Sequence, residues 1–257
     1  MTVIEKITLG VLSGGTGALY YAVCGVRAQW LGVADWRGPI DSSSIALTFD
    51  DGPTGDTERV LDVLDRFGVR AAFFMIGRQV ERHPAIARRV VAAGHEVGNH
   101  SYSHPIYLYR GARETFRQLA RTQDVIADAT GVLPRWSRPP YGVRTPAYFA
   151  AARRLSLRTV QWTVAGFDWK RKQTAAGISA RVVDGLAPGS IVLLHDGDSA
   201  CRTGRGETVA ALPGIIAGAG DRGLGVAPLA QLLASTNRTS TSRPSTSTHG
   251  DHGDTRR

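Results

Sequence analysis

The sequence predicts an α/β fold in which parallel strands and helices alternate to form a (β/α) barrel. Short β-branched or aromatic runs alternate with helical periods from Ile45 to about Leu233, which favours parallel βα units over an antiparallel sandwich. Five short stretches with reactive side chains each fall at or just after the end of a predicted strand. A (β/α) barrel builds its active site at that end of its strands. An open doubly wound sheet uses the same end, so the barrel is the preferred of two architectures.

The elements follow one another in a regular order. The first strand covers Ile45 to Phe49, and the helix Thr57 to Phe67 follows with apolar residues at helical spacing until Gly68 ends it. The other predicted strands lie near residues 70–76, around 96–97, near Trp136, and at 158–164 and 190–194. The other predicted helices cover residues 84–93, 113–129, 146–154, 175–186 and 208–219.

Length and composition suit one sizeable domain with modest extensions. The chain has 257 residues, of which 42% are hydrophobic, enough for a buried core. The formal net charge of +9 comes mainly from arginines scattered along the chain, which disfavours a nucleic-acid-binding protein and favours a basic surface that tolerates anionic envelope polymers. With only Cys24 and Cys201, no disulfide framework is expected.

The two ends of the chain differ in character from its middle. Ile7 to Val26 carries no charged residue and is long enough to cross a bilayer, although glycines dilute it and no cleavage site is clear. We prefer a membrane anchor or signal-like segment here over a glycine-rich buried or loop segment. Residues 235–257 are rich in Ser, Thr, Pro and Gly and predict a disordered tail. The predicted organisation is therefore an anchor and linker at 1–42, the βα-repeat domain at 43–234 and the tail at 235–257.

Two carboxylates and two histidines suggest a metal site. Asp50 and Asp51 follow the first strand and would fit an acidic turn, but neighbouring side chains diverge, so one carboxylate can bind a metal while the other accepts a proton. His100 and His104 are spaced so that a helical turn would bring both imidazoles to one face, although such pairs often only cap or decorate a helix. With Asp51 they make a His₂Asp set that leaves positions for water and substrate.

Three further residues suggest acid–base chemistry. Arg138 precedes a diproline, which fits a stiff surface turn or a rigid support that holds the arginine against a carboxylate. His195 ends an apolar strand; a lone buried histidine is more often part of a core, but this position in a barrel favours a general acid. Asp168 is the carboxylate that could orient and charge it. Asp196 or Asp198 could compete as metal ligands, but each lies in a glycine-containing loop.

Together these stretches resemble the motifs of the polysaccharide deacetylase family, the NodB-homology or carbohydrate esterase family 4 enzymes. The resemblance spans about Ser43 to Leu233, with the motifs in the family's order. It implies a distorted (β/α) barrel that removes N-acetyl, and sometimes O-acetyl, groups from sugars of chitin, chitooligosaccharides, peptidoglycan or related polymers. The motifs are TFDDG (48–52), HSYSH (100–104), RPPY (138–141), FDW (167–169) and IVLLH (191–195).

The resemblance also implies a base and a metal site. By this likeness Asp50 is the general base, and Arg138 holds it in place. Asp51, His100 and His104 are the ligands of one divalent metal ion, with zinc preferred and cobalt, nickel or manganese as alternatives.

The remaining roles implied by the resemblance concern the acid and the substrate. His195 is the general acid and Asp168 tunes it. The backbone N–H of Tyr141 helps to bind the oxyanion, while Trp169 and Leu193 shape a pocket for the acetyl methyl group.

The sequence therefore predicts a metal-dependent N-deacetylase that acts on an N-acetylated glycan, functions as a monomer and is secreted or membrane-anchored outside the cytoplasm. Two alternatives remain: an O-acetyl esterase on a xylan-like glycan, and a catalytically weak carbohydrate-binding protein of the envelope. No motif supports nucleic acid as a partner.

Overall fold

The computed structural model describes residues 16–200 and 204–234, in which eight parallel strands form one curled sheet. The sheet order is β5-β4-β3-β2-β1-β7-β6, and β8 pairs with the start of β1. This arrangement confirms the predicted parallel βα units in the form of a distorted (β/α) barrel. The strands are β1 (Ser44–Asp50), β2 (Ala72–Met75), β3 (Glu96–Asn99), β4 (Trp136–Ser137), β5 (Arg158–Thr159), β6 (Val164–Ala165), β7 (Ile191–His195) and β8 (Gly225–Val226).

Helices follow most of the strands and surround the sheet. Threonine side chains cap three of them, Thr54 before α2, Thr145 before α6 and Thr174 before α7, by accepting hydrogen bonds from the first-turn N–H groups. The helices are α1 (residues 16–24), α2 (Gly55–Arg66), α3 (Gly77–Arg82), α4 (Pro84–Ala92), α5 (Ala112–Thr130), α6 (Pro146–Arg154), α7 (Ala175–Gly185), α8 (Gly206–Asp221) and α9 (Leu229–Ala234).

The strand predicted at residues 158–164 is wrong as a single element. The structure divides it into β5, which pairs with β4, and β6, which pairs with β7. These two strands are the two ends of the sheet order, so the chain crosses the gap of the barrel between them. At this gap Asp35 pairs with Val160, and the N–H of Gln161 donates to the carbonyl of Asp35. A run rich in β-branched residues, such as 158–164, cannot reveal such a division, because the break depends on the closure of the sheet.

Alternation along β1 separates the outer core from the barrel interior. Ile45, Leu47 and Phe49 belong to a large apolar cluster with the surrounding helices. The intervening side chains face the inside, where Ala46 packs against α9 and Asp50 ends the strand. α9 is too short to be predicted from periodicity, yet its leucines fill the interior around Ala46. Apolar side chains fill the interior around Ala46, whereas buried polar side chains lie at the other end, beside Asp50.

The segment before the barrel is attached to it through Arg144. This guanidinium is fully buried and donates to the carbonyls of Gly25, Val26 and Ala28, while the Arg144 N–H donates to the Val23 carbonyl. Within residues 16–200 and 204–234, no helix has the length and apolar character needed to span a bilayer. Residues 7–15 of the predicted apolar segment, Cys201 and the predicted tail at 235–257 lie outside the described residues.

Candidate active site

Asp50 and Arg138 form a buried pair inside the barrel. Asp50 is 3% exposed at the end of β1, and Arg138 follows β4 with no exposed surface. Arg138 Nη1 donates to Asp50 Oδ1 at 2.8 Å and to Thr48 Oγ1 at 2.8 Å, and the other guanidinium nitrogens donate to the carbonyls of Val160 and Gln161. Burial raises the pKa of Asp50, and the charge of Arg138 opposes that increase. Arg138 therefore fixes Asp50 Oδ1, and Oδ2 remains able to accept a proton or a hydrogen bond.

Asp51, His100 and His104 meet at the same end of the barrel. Asp51 Oδ1 lies 3.5 Å from His100 Nε2 and 3.2 Å from His104 Nε2. One ligand atom from each residue lies within 4.8 Å of the others, and no other such group of His, Cys, Asp and Glu is found in the described part of the chain. Neither Asp196 nor Asp198, the predicted competitors, belongs to it.

The chemistry of these donors fits a divalent cation. Asp51 Oδ1 is buried without a hydrogen-bond partner among the described residues, and burial raises the Asp51 pKa to about 6. Burial also lowers the pKa of His100 and of His104 to about 3, so both imidazoles are neutral at neutral pH, the form that ligates metals. His100 Nδ1 donates to the Arg138 carbonyl at 2.7 Å, which directs Nε2 towards Asp51. A cation would supply the positive charge that the buried carboxylate lacks.

The prediction that a helical turn brings the two histidines together is wrong. Residues 100–104 form a loop in which Ser101 and His104 have φ values of 66° and 58°. Side chains from β3 and α5 take the place of helical hydrogen bonds, since Asn99 Oδ1 accepts from the Ser101 N–H at 3.0 Å and Gln118 Oε1 accepts from the N–H groups of the next two residues. The two imidazoles therefore do lie together beside Asp51, but a loop and not a helical turn positions them.

His195 and Asp168 form the second charged pair of the site. Asp168 Oδ1 lies 2.9 Å from His195 Nδ1, and Asp168 Oδ2 accepts hydrogen bonds from the His195 N–H and from Thr208 Oγ1, each at 2.8 Å. Burial opposes the charge of the imidazole, but the attraction of Asp168 prevails and raises the His195 pKa to about 9. Burial likewise opposes ionisation of Asp168, and His195 outweighs it and lowers the Asp168 pKa. The pair presents a protonated imidazole beside Asp50, whose Cα is the register partner of His195 across β1 and β7.

The other predicted site residues lie beside these groups. The Tyr141 ring stands edge-on to His104 with centroids 4.6 Å apart, and the Trp169 ring stands edge-on to His195 with centroids 5.0 Å apart. Leu193 is buried on the inward face of β7, two residues before His195. The structure therefore brings all ten predicted site residues to one end of the barrel.

Four supporting residues escape prediction from the sequence. Asp196 is buried and braces the turn after Asp51, since its Oδ1 accepts from the Gly52 N–H at 3.1 Å and its Oδ2 accepts from Thr57 Oγ1 at 2.6 Å. Alternation along β1 could have identified Thr48, because this residue shares the inward face of the strand with Asp50. The others are set by tertiary contacts alone. The remaining three are Thr48, Arg205 and Thr208.

Comparisons with known proteins agree with this geometry. The family model described as "Polysaccharide deacetylase" matches residues 37–160. The peptidoglycan-N-acetylglucosamine deacetylase PgdA of Listeria monocytogenes is 40% identical over 59% of this chain, which spans only 32% of the Listeria protein. A chitooligosaccharide deacetylase of Bradyrhizobium is 39% identical over 74% of this chain and 90% of its own length. A CE4 family pseudoenzyme from Bacillus anthracis has a similar structure, with a TM-score of 0.71, 32% identity, and coverage of 78% of this chain and 68% of the other.

Proposed function

Because the chain belongs to the polysaccharide deacetylase family, we propose that it is a metal-dependent deacetylase that hydrolyses N-acetyl groups of an amino-sugar polymer or oligomer. One observation carries the proposal: three groups meet in one barrel interior. They are a buried carboxylate fixed by Arg138, a His₂Asp group whose Asp51 Oδ1 has no hydrogen-bond partner among the described residues, and the Asp168–His195 pair. These groups supply a base, a metal site and an acid, which together suit metal-dependent amide hydrolysis. The names of the relatives support an N-acetylated glycan as the substrate.

Asp50 serves as the general base in this proposal. A divalent cation held by Asp51, His100 and His104 would polarise the amide carbonyl and lower the pKa of the attacking water. Asp50 Oδ2 faces the metal group, 3.8 Å from His100 Nε2, and accepts the proton of that water. Arg138 keeps the carboxylate aimed by binding its other oxygen. The Tyr141 N–H stabilises the oxyanion, a contribution of about 3 kcal/mol for a single donor in comparable sites.

His195 completes the reaction as the general acid. An amine anion is a very poor leaving group, so the sugar nitrogen must receive a proton as the C–N bond breaks. The raised pKa of His195, about 9, keeps the imidazole protonated at neutral pH. Since Asp50 and His195 are register partners on adjacent strands, base and acid lie next to each other at the site of bond cleavage. Trp169 and Leu193 flank the acid and form the pocket for the acetyl methyl group.

Zinc is the metal we propose, since one carboxylate and two imidazoles suit it, with cobalt, nickel or manganese as replacements. We also propose that the enzyme is a monomer that acts outside the cytoplasm, secreted or held at the membrane by its N-terminal segment. The charge-free stretch from Ile7 to Val26 supports that location.

An acetate-release assay tests the function. The full chain is loaded with Zn²⁺ or Co²⁺ and given chitooligosaccharides, peptidoglycan and acetylated xylan. Acetate from the first two would support the N-deacetylase, whereas acetate from xylan alone would make the protein an O-acetyl esterase. Release from none of them by metal-loaded protein would make it a pseudoenzyme like the Bacillus anthracis relative and overturn the proposal. Asp50→Asn serves as the inactive control, and Asp128→Asn on the exposed face of α5 serves as the matched active control.

A further inference from the structure

An exposed aromatic and cationic surface extends outwards from His195 along the loop between β6 and α7. The Trp169 ring lies 5.0 Å from the His195 ring, the Phe167 ring 5.1 Å from Trp169, and Lys170 Nζ 4.4 Å from the Phe167 ring centre. Trp169 is 41% exposed and Phe167 is 38% exposed. We call this surface the basic shelf and define it as Phe167, Trp169, Lys170, Arg171 and Lys172.

The loop that carries the basic shelf is held in shape from both sides. Arg181 Nη1 donates to the Gly166 carbonyl at 2.9 Å and to Gln173 Oε1 at 3.1 Å, so one side chain ties the two ends of the loop together. Phe167 adopts a φ of 53°, and its carbonyl accepts from the Lys170 N–H at 3.0 Å. These contacts fix both ends of the loop and the turn between Phe167 and Lys170.

The basic shelf carries three consecutive positive charges that no acid in the described part of the chain pairs with. Lys170, Arg171 and Lys172 are exposed, and no ion pair joins any of them to a carboxylate within residues 16–200 and 204–234. Two acids close in the structure make other contacts, since Asp168 is buried against His195 and Glu207 Oε2 accepts from the Ala175 N–H at 2.7 Å. Unpaired charges beside a catalytic cleft attract ligands of the opposite sign.

We propose that the basic shelf is a subsite for an acidic sugar, one that carries a carboxylate next to the N-acetylated residue that is hydrolysed. The inference rests on the proposed deacetylase function and names its substrate class. The exposed Trp169 ring offers an apolar face to one side of a sugar ring, and the Lys170 ammonium, held over the neighbouring Phe167 ring, lies close enough to meet a carboxylate on that sugar. Arg171 and Lys172 follow in the same loop and add exposed positive charge. A neutral chitooligosaccharide would use the aromatic part of the shelf only.

The composition of the chain allows a direct binding test. The sequence contains only three lysines, Lys6, Lys170 and Lys172, and two of them lie on the shelf. Reductive ¹³C-methylation of the full-chain Asp50→Asn protein retains the charges and gives one NMR signal set for each lysine, assigned with Lys170→Arg and Lys172→Arg. The probes are the disaccharide N-acetylglucosaminyl-N-acetylmuramic acid, its methyl ester and diacetylchitobiose. N-acetylglucosamine 6-phosphate distinguishes a phosphate from a carboxylate ligand.

The acidic disaccharide is expected to move the signals of Lys170 and Lys172 but not that of Lys6, with a Kd about fivefold lower than for the methyl ester. The proposal would be overturned if the acidic disaccharide and its methyl ester bound with equal affinity. It would also be overturned if neither the Lys170 signal nor the Lys172 signal shifted. Stronger binding of the phosphate than of the carboxylate would also overturn it, because the ligand class would then be a phosphorylated sugar.

Kinetics separate this inference from the proposed function. Lys170→Gln/Lys172→Gln is expected to raise KM for the acidic disaccharide about fivefold and to leave KM for diacetylchitobiose unchanged, with kcat retained for both. Arg88→Gln/Arg153→Gln removes the same charge from exposed positions on α4 and α6 and is expected to change neither KM. If wild type hydrolyses both substrates and the shelf variant changes neither, the subsite is wrong and the deacetylase stands. If wild type hydrolyses nothing, the deacetylase is wrong, and the NMR titration alone decides whether the shelf binds acidic sugars.

Discussion

Asp168 holds His195 through both of its carboxylate oxygens, one on the imidazole Nδ1 at 2.9 Å and the other on the backbone N–H at 2.8 Å. The first contact sets the charge and tautomer of the ring. The second ties the end of β7 to the loop that follows β6, so that the orientation of the acid does not depend on the side chain alone. A single residue thus couples the electrostatics of the site to its geometry.

Replacing Asp168 with Asn should move the alkaline limit of activity to lower pH. Without the negative charge, burial dominates and lowers the pKa of His195 from its value of about 9, so the imidazole loses its proton earlier. We expect kcat to fall by roughly 10²- to 10⁴-fold at neutral pH. The measurement is kcat/KM against pH, with Asp128→Asn as control; an unchanged alkaline limb would show that His195 is not the acid.

The same pair should make stability depend on pH in the metal-free protein. His195 has a raised pKa in the folded state, so its contribution is fully present below the ordinary value of 6.5 and is lost as pH rises through about 9. We compare the free energy of unfolding of wild type with that of His195→Gln. The advantage of wild type should be larger at pH 6 than at pH 10 by on the order of 3 kcal/mol. Urea denaturation at both values checks this, and a difference that grows with pH would contradict it.

Arg138 and Asp50 should prove strongly coupled. Arg138→Gln removes the ion pair and the hydrogen bond that compensate for burial of the Asp50 carboxylate, and it should lower the free energy of unfolding by about 3–5 kcal/mol. Adding Asp50→Asn removes that undercompensated charge, so the double variant should be less destabilised than the sum of the two single variants. Urea denaturation of all four proteins measures the coupling, and simple additivity would mean that the pair does not interact.

The His₂Asp group should supply the protein ligands of the metal, and Asp198 should not be one of them. His104→Ala and Asp51→Asn should each lose stoichiometric metal, because the buried carboxylate oxygen and the imidazole are the donors that the site offers. Asp198→Asn should retain it, since Asp198 lies outside the group. Metal analysis after dialysis decides the matter, and retention by Asp51→Asn would exclude that residue as a ligand.

Asp196 should influence the metal indirectly. Asp196→Ala removes the two hydrogen bonds that brace the turn after Asp51, at Gly52 and Thr57, and should weaken metal affinity by about 10- to 100-fold. Competition with a chelator measures the affinity. Asp184→Asn, a change at an exposed carboxylate on α7, is the control. An affinity equal to wild type would show that the turn holds its shape without Asp196.

Periodicity predicted most of the regular elements within a few residues, because apolar spacing and capping residues are local properties. It failed at residues 158–164, where the curled sheet ends and the chain crosses its gap, and at α3, β8 and α9, which are too short to show a period. The same limit applies to Asp196, which follows His195 in the sequence but acts on the turn after β1.

The sequence by itself determined the order of the βα units and the reactive residues at the strand ends, since motif spacing and alternation are written along the chain. Only the tertiary structure decided how those residues are held: by the loop that joins His100 and His104, by the buried Arg138–Asp50 pair, and by the alignment of Asp50 with His195. These relationships join residues from 4 to 145 positions apart, and they exist only because a curled parallel sheet brings the ends of all its strands to one place.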